Sequence, residues 1–151
     1  MKILMVCLGN ICRSPLAEGI LAHQASKAGL DWIVESAGTA GYHAGEAPHP
    51  LSQKVAGENG IDISGQRCRQ FQKEDLRFYD KIYAMDQSNY VDIKLLCGND
   101  WMPEKVELIL NELYPGLNNE VPDPWYGGED GFIEVFNMLN NACEKIIEKR
   151  K

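Results

Sequence analysis

No apolar run in this chain approaches the roughly 18 residues that a membrane-spanning helix needs. Nor is there an excess of basic charge: 15 Lys and Arg stand against 22 Asp and Glu, a net charge of -7, and the one local basic cluster is Arg67, Arg69 and Lys73. A balance this acidic argues against nucleic acid or an anionic membrane surface as partner. Histidine is scarce, and His23, His43 and His49 form no ligand pair, while Cys7 and Cys12 are too widely spaced for a C-x2-C clip; no metal and no other cofactor is expected. Neither of the familiar nucleotide loops, G-x-x-x-x-G-K-[ST] or G-x-G-x-x-G after a strand, is present. The five cysteines, Cys7, Cys12, Cys68, Cys97 and Cys143, are odd in number and not densely spaced, unlike an extracellular disulfide scaffold. The first residues carry one cation and a short apolar stretch before Gly9, Asn10 and Arg13, too brief and too soon polar for a secretory signal. A cytoplasmic protein with free thiols is the expectation.

With 44% of its 151 residues hydrophobic, the chain is too apolar for a disordered tail and long enough to bury roughly two-thirds of its unfolded surface as one domain, residues 1–151. Residues 2–8 form a short apolar run ending at Gly9-Asn10, as a buried central strand does. Ser14 and Pro15 read as N-cap and first position of a helix whose apolar residues recur as far as Ala28, with Gly29 ending it. Further strands are expected over residues 32–36, 81–85 and 106–110, and helices over 51–59, 70–78 and 88–97. A Gly-rich loop covers 38–45, a Pro- and Gly-rich loop 111–131, and an amphipathic helix carrying Phe132, Val135, Phe136, Leu139, Cys143, Ile146 and Ile147 on one face closes the chain. Four alternations of strand and helix imply a parallel sheet wrapped on both faces, with ligands bound beyond the carboxyl ends of the strands.

The loop after the first strand carries the chemistry. In Cys7-Leu8-Gly9-Asn10-Ile11-Cys12-Arg13-Ser14, Gly9 and Asn10 tolerate positive φ, so the backbone can curl and point successive N–H groups inward. The following helix N-terminus adds unpaired donors and a positive dipole end. Arg13 adds a rigid fork of donors shaped for a phosphate-like oxyanion. Such a cradle favours a thiolate at Cys7 beneath a bound dianion, and Ser14 is placed to cap the helix while donating its O–H to the sulfur. A lone strand-end cysteine is ordinarily a small buried hydrophobe; five suitable residue types in one turn outweigh that reading.

The run C-L-G-N-I-C-R-S resembles the C-x5-R-S signature of the low-molecular-weight protein tyrosine phosphatases. The similarity continues through Ser36-Ala37-Gly38-Thr39, residues 84–89 (A-M-D-Q-S-N) and residues 121–127 (V-P-D-P-W-Y-G), in the family's order over nearly the whole chain. The resemblance implies a single-domain, three-layer α/β fold with a four-stranded parallel sheet of order 2-1-3-4 and helices on both faces. It implies hydrolysis of phosphotyrosine and small aryl phosphates without a metal, through a phosphocysteine intermediate. By the same resemblance Cys7 is the nucleophile, Arg13 the phosphate-binding arginine, and Asp123 the general acid. Leu8, Gly9, Asn10, Ile11, Cys12 and Ser14 complete the phosphate loop, and Tyr42, His43, Trp125 and Tyr126 flank the substrate. The resemblance also implies that Cys12 can form a disulfide with Cys7 under oxidation; a buried loop thiol is the other reading of that residue. The partner implied is a phosphotyrosine-containing protein, with an autophosphorylated tyrosine kinase as one candidate. Pro122 and Pro124 stiffen the backbone around Asp123, although Asp-Pro is also an ordinary turn.

The pattern departs from many relatives at three places. His49-Pro50-Leu51 lacks an acidic residue and an arginine, Gly65 replaces a histidine, and Cys68 stands where alanine is frequent. Rival readings are an arsenate reductase of the same fold, which needs two further cysteines close together where this chain has the distant Cys68 and Cys97; a phosphoarginine phosphatase, a branch that tends to carry Thr where this chain has Ile11; and a non-catalytic phosphate-binding module, which has no need of Asp123.

Overall fold

The computed structural model describes residues 1–150, with Tyr126 described through its backbone alone. Four strands, β1 (Lys2–Cys7), β2 (Ile33–Gly38), β3 (Lys81–Ala84) and β4 (Val106–Leu108), form one sheet of order β2-β1-β3-β4 in which every pairing is parallel. Helices α1 (Arg13–Lys27), α2 (Pro50–Glu58), α3 (Asp75–Phe78), α4 (Gln87–Cys97) and α5 (Glu129–Arg150) cover its two faces. This is the single-domain α/β fold and strand order that the resemblance implies.

The central position of β1 explains its composition. Strand side chains alternate between faces, so Ile3, Met5 and Cys7 enter a core with Leu16 and Ile20 of α1, Val55 of α2 and Phe132, Val135 and Leu139 of α5. Leu4 and Val6 enter the opposite core with Leu76 of α3, Ile82 of β3 and Ile93 of α4. A strand buried on both sides has no polar positions to alternate with, hence the unbroken apolar run.

Several expected boundaries move. Helix α1 begins at Arg13, with Cys12 at its N-cap and no side-chain cap bond; Ser14 is therefore not the cap. The loop curls so tightly that Arg13 and Ser14 already lie in the first turn, which turns the serine hydroxyl inward. Pro15 falls within that turn, where a missing N–H leaves nothing unpaired. The helix expected over 70–78 shortens to Asp75–Phe78, because Gln70 bridges to Gly38 and the Phe71 N–H donates to the Gly38 carbonyl, extending the sheet edge instead. Strand β4 stops at Leu108 and gives way to a 3-10 turn, Ile109–Glu112. Helix α5 starts at Glu129, inside the expected loop, with Glu129 and Asp130 matching the positive end of its dipole.

Strand β2 runs two residues further than expected, to Gly38, which pairs with Cys7. A side chain there is impossible without movement: a Cβ on Gly38 would lie 2.7 Å from the Leu8 carbonyl oxygen and 3.0 Å from the Asn10 nitrogen. Glycine lets the end of β2 pass directly beneath the loop that follows β1.

Candidate active site

Cys7 ends β1 with 3% of its surface exposed, and residues 8–12 wrap over it before α1 begins. Asn10 takes φ 56°, the left-handed conformation that reverses the loop. Five of the six carbonyls of residues 7–12 are engaged from outside. Cys7 O accepts from the Thr39 N–H at 2.9 Å, Leu8 O from the Ala40 N–H at 2.9 Å, and Ile11 O from the His49 N–H at 2.8 Å. Asn10 O accepts from the Cys68 thiol at 2.6 Å, and Cys12 O from the Ser52 hydroxyl at 3.2 Å. With the carbonyls turned outward, the N–H groups face the inside of the loop, and among the described residues those of 8–12 have no acceptor in the protein. Clustered amide donors without protein partners make an anion site.

Arg13 closes this cradle. Only 3% exposed, its guanidinium donates to Asp86 Oδ2 at 2.7 Å and to Val121 O at 2.9 Å, while a second nitrogen lies 3.8 Å from Asp123 Oδ2. Burial disfavours its charge, but the Cys7 sulfur and the carboxylates of Asp86 and Asp123 outweigh that and raise its pKa further. Asp86 is itself the N-cap of α4, so its position is set by a helix end.

Asp123 arrives from the far end of the chain. The Val121 N–H donates to Met85 O at 2.9 Å, which pins this segment to the end of β3. Asp123 then caps the 3-10 turn Pro124–Tyr126, its Oδ1 accepting from the Trp125 N–H at 3.0 Å. Its side chain remains 41% exposed. The ordinary Asp-Pro turn and the placement at the pocket are thus one feature.

The pocket between these residues holds about 290 Å³ and is lined by Cys7, Leu8, Gly9, Ile11, Cys12, Arg13, Tyr42, His43, Asp123 and Trp125. Tyr42 and Trp125 are exposed at its rim. His43 is held by Glu46, Nδ1 to Oε2 at 3.0 Å, and its ring centroid lies 5.8 Å from that of Trp125, which also meets His49 edge-on at 5.5 Å. The Tyr126 side chain lies outside the described residues. Cys12 is buried beside Cys7; burial, then the Cys7 sulfur and Asp123, push its thiol up to about 12.

Ser14 joins the cradle rather than the helix end. Its Oγ is 3.1 Å from the Cys7 sulfur and accepts from Asn10 Nδ2 at 2.8 Å. Four residues of this surround escaped the sequence reading as site residues: Asp86, Ser36, Glu18 and Arg69. Asp86 and Ser36 sit in segments that resemble the family, which is a signal; Glu18 and Arg69 carry none. Cys68 and Cys97, the pair an arsenate reductase would need, lie apart, the first against the loop of residues 8–12 and the second in the core on the other side of the sheet.

A parallel sheet that delivers a cysteine into a short loop of unpaired amides, closed by an arginine and faced by a carboxylate, defines a small phosphatase. The chain belongs to the low molecular weight phosphotyrosine protein phosphatase family, whose model matches residues 2–151. The low molecular weight phosphotyrosine protein phosphatase of Schizosaccharomyces pombe is 38% identical, the match covering 97% of this chain and 95% of that protein. The crystal structure of a protein tyrosine phosphatase from Entamoeba histolytica superposes with a TM-score of 0.91 at 37% identity, covering 99% of this chain and 96% of the other. A Drosophila arginine phosphatase also superposes with a TM-score of 0.91, at 30% identity, covering 100% of this chain and 98% of that one.

Proposed function

We propose that this enzyme removes phosphate from phosphotyrosine in proteins, and from small aryl phosphates, with Cys7 as nucleophile, Arg13 as phosphate ligand and Asp123 as general acid. The observation that carries this reading is the convergence of Cys7, Arg13 and Asp123 on one pocket of about 290 Å³ with aromatic walls. In the first step the Cys7 sulfur forms a bond to phosphorus as the phosphorus–phenol oxygen bond breaks, and the Asp123 proton passes to the departing oxygen. In the second, Asp123 takes a proton from water, whose oxygen displaces the sulfur and releases inorganic phosphate. The inward N–H groups of residues 8–12 and the Arg13 fork hold the three non-bridging oxygens throughout, the positioning and charge stabilisation on which phosphoryl transfer chiefly depends.

Tyr42 and Trp125 support an aromatic ester as substrate, since ring stacking adds about 0.5–1.5 kcal/mol beyond burial. Comparing phosphotyrosine, phosphoserine and phosphoarginine peptides tests that choice; preference for phosphoarginine would transfer the chain to the class of its Drosophila relative. The expected setting is the cytoplasm, with a phosphotyrosine-containing protein as substrate and an autophosphorylated tyrosine kinase as one candidate. Among the described residues no helix is long and apolar enough to cross a membrane. Cys12 completes the reading: peroxide oxidises the Cys7 sulfur to a sulfenic acid, and the Cys12 thiol displaces water from it to form a disulfide that a dithiol reduces. The expected result is peroxide inactivation that dithiothreitol reverses fully in the wild type and only partly in Cys12→Ser, where excess peroxide carries the unprotected sulfenic acid on to an irreversible sulfinic acid.

The deciding experiment is hydrolysis of p-nitrophenyl phosphate with vanadate as inhibitor. Cys7→Ser is expected to be inactive, because the covalent route is gone. Asp123→Ala is expected to retain activity lowered about 10²–10⁴-fold. An active Cys7→Ser enzyme overturns the mechanism.

A further inference from the structure

The amide of Asn10 stands in the middle of a hydrogen-bond chain whose direction is set at its ends. The Arg69 N–H donates to Asn10 Oδ1 at 3.0 Å. A backbone N–H can only donate, so the amide oxygen and nitrogen are assigned without ambiguity. Nδ2 then directs its two hydrogens to two hydroxyls, Ser14 Oγ at 2.8 Å and Ser36 Oγ at 2.9 Å. Each hydroxyl, having accepted, has one hydrogen to give. That of Ser14 goes to the Cys7 sulfur at 3.1 Å, and that of Ser36 to Glu18 Oε1 at 2.6 Å.

We propose that Glu18, acting through Ser36 and Asn10, is a positioning residue for the Cys7 sulfur, its carboxylate holding the hydrogens of the phosphate loop in the order that delivers the Ser14 O–H to the nucleophile. Glu18 lies outside the pocket lining and touches no substrate. Its effect is transmitted by hydrogen-bond polarity: an ionised carboxylate only accepts, so it compels the Ser36 hydrogen towards itself and leaves the Ser36 lone pairs for Asn10. A protonated Glu18 carries its own O–H, competes with Asn10 for the Ser36 oxygen and releases the Ser36 hydrogen. The proposal rests on the reading of Cys7 as the catalytic sulfur.

The two forms of Glu18 are poised to exchange near neutrality. Burial pushes its carboxyl up to about 7, the Ser36 bond opposing, Glu35 adding to the rise and Arg69 opposing it. Glu35 faces it from β2 with its Oε1 taken by the Tyr79 hydroxyl at 2.6 Å, and Arg69 faces it from the segment before α3, paired to Asp75 at 2.9 Å. On the open side Asp62, and His23 of α1 itself, line the same groove of about 600 Å³. That groove gives Glu18 a route for proton exchange with solvent.

Alkylation of Cys7 in the free protein by iodoacetamide tests this without turnover. The buried Cys12 and Cys68 thiols, pushed up to about 12 and about 11, stay protonated below pH 9, so the reagent reports on Cys7. Across pH 7 the wild-type rate is expected to step by about 3–10-fold, the worth of one hydrogen bond near 1 kcal/mol. Glu18→Gln and Ser36→Ala, which break the chain at different links, should both lose that step. Should Glu18→Gln fold poorly, Ser36→Ala alone decides, because it leaves the carboxylate in place. A wild-type profile without the step, or a step that survives in either variant, overturns the proposal. A protein that keeps the Glu18-dependent step yet hydrolyses no phosphate ester would refute the phosphatase reading and leave this one standing.

Discussion

Asp86 divides its carboxylate between two tasks: Oδ2 binds the Arg13 guanidinium at 2.7 Å, and Oδ1 accepts the Asn89 N–H of α4 at 2.7 Å. One side chain thus couples the start of a helix to the aim of the Arg13 guanidinium. Removing it should cost twice. Asp86→Ala leaves Arg13 buried without its closest counter-charge and α4 without its cap, effects worth about 3–5 and 0.5–2 kcal/mol in other proteins. We expect a loss of at least about 3 kcal/mol in urea unfolding. Asp86→Asn, which can still cap the helix, should lose less stability than Asp86→Ala.

Gly38 is required by space and Gly57 is not. Gly38→Ala would press a methyl group to 2.7 Å from the Leu8 carbonyl oxygen, whereas a Cβ on Gly57 meets nothing within 4 Å. We expect Gly38→Ala to destabilise by about 1–3 kcal/mol and to weaken vanadate binding, since the displaced atoms belong to the phosphate loop. Gly57→Ala, inside α2, should instead stabilise by about 0.5–1 kcal/mol. Equal vanadate affinities for Gly38→Ala and the wild type would disprove the close approach.

Glu18 sets a pH dependence of stability opposite to that of most carboxylates. Folding raises its pKa from 4.5 to about 7, with burial the leading cause. The folded state therefore binds this proton more tightly than the unfolded chain, and stability falls as pH rises from about 4.5 through 7. Above pH 7 the ionised group costs up to roughly 3 kcal/mol. The Tm of Glu18→Gln is expected to exceed that of the wild type at pH 8 and to match it near pH 4.5; a constant offset at every pH would contradict this.

In the proposed mode of binding, Trp125 at the pocket rim meets the ring of the substrate and not its phosphate. Trp125→Ala should lower kcat/KM for aryl phosphates about 3–10-fold, the equivalent of one stacking contact, and leave inhibition by inorganic phosphate nearly unchanged. Parallel losses for aryl substrate and phosphate would show that the loop carrying Asp123 had moved instead.

Much of the fold follows from local patterns. The apolar run of β1, the Asn10 reversal and the amphipathic face of α5 depend on neighbours in sequence, and each is found within a few residues of where the pattern puts it. The misplacements have tertiary causes: the sheet edge claims Gln70 and Phe71 from a helix, and the tight curl of the loop draws Ser14 inside. Cys7, Asn10, Arg13 and Ser14 were legible together because one strand-to-helix turn contains them all.

The amino-acid order by itself determined the parts of the cradle: a short loop of permissive and hydrogen-bonding residues, with its cysteine and arginine, between a buried strand and a helix. What approaches that cradle was decided only by the tertiary structure. Asp123 reaches the pocket because Val121 is tied to the end of β3, Asp86 because α4 begins beside Arg13, and Ser36 and Glu18 because the register of β2 against β1 sets one serine beneath Asn10. Hydrogen bonds between distant segments depend on strand register and helix placement to within about an ångström, and those are settled by the packing of the whole core rather than by any stretch of the chain.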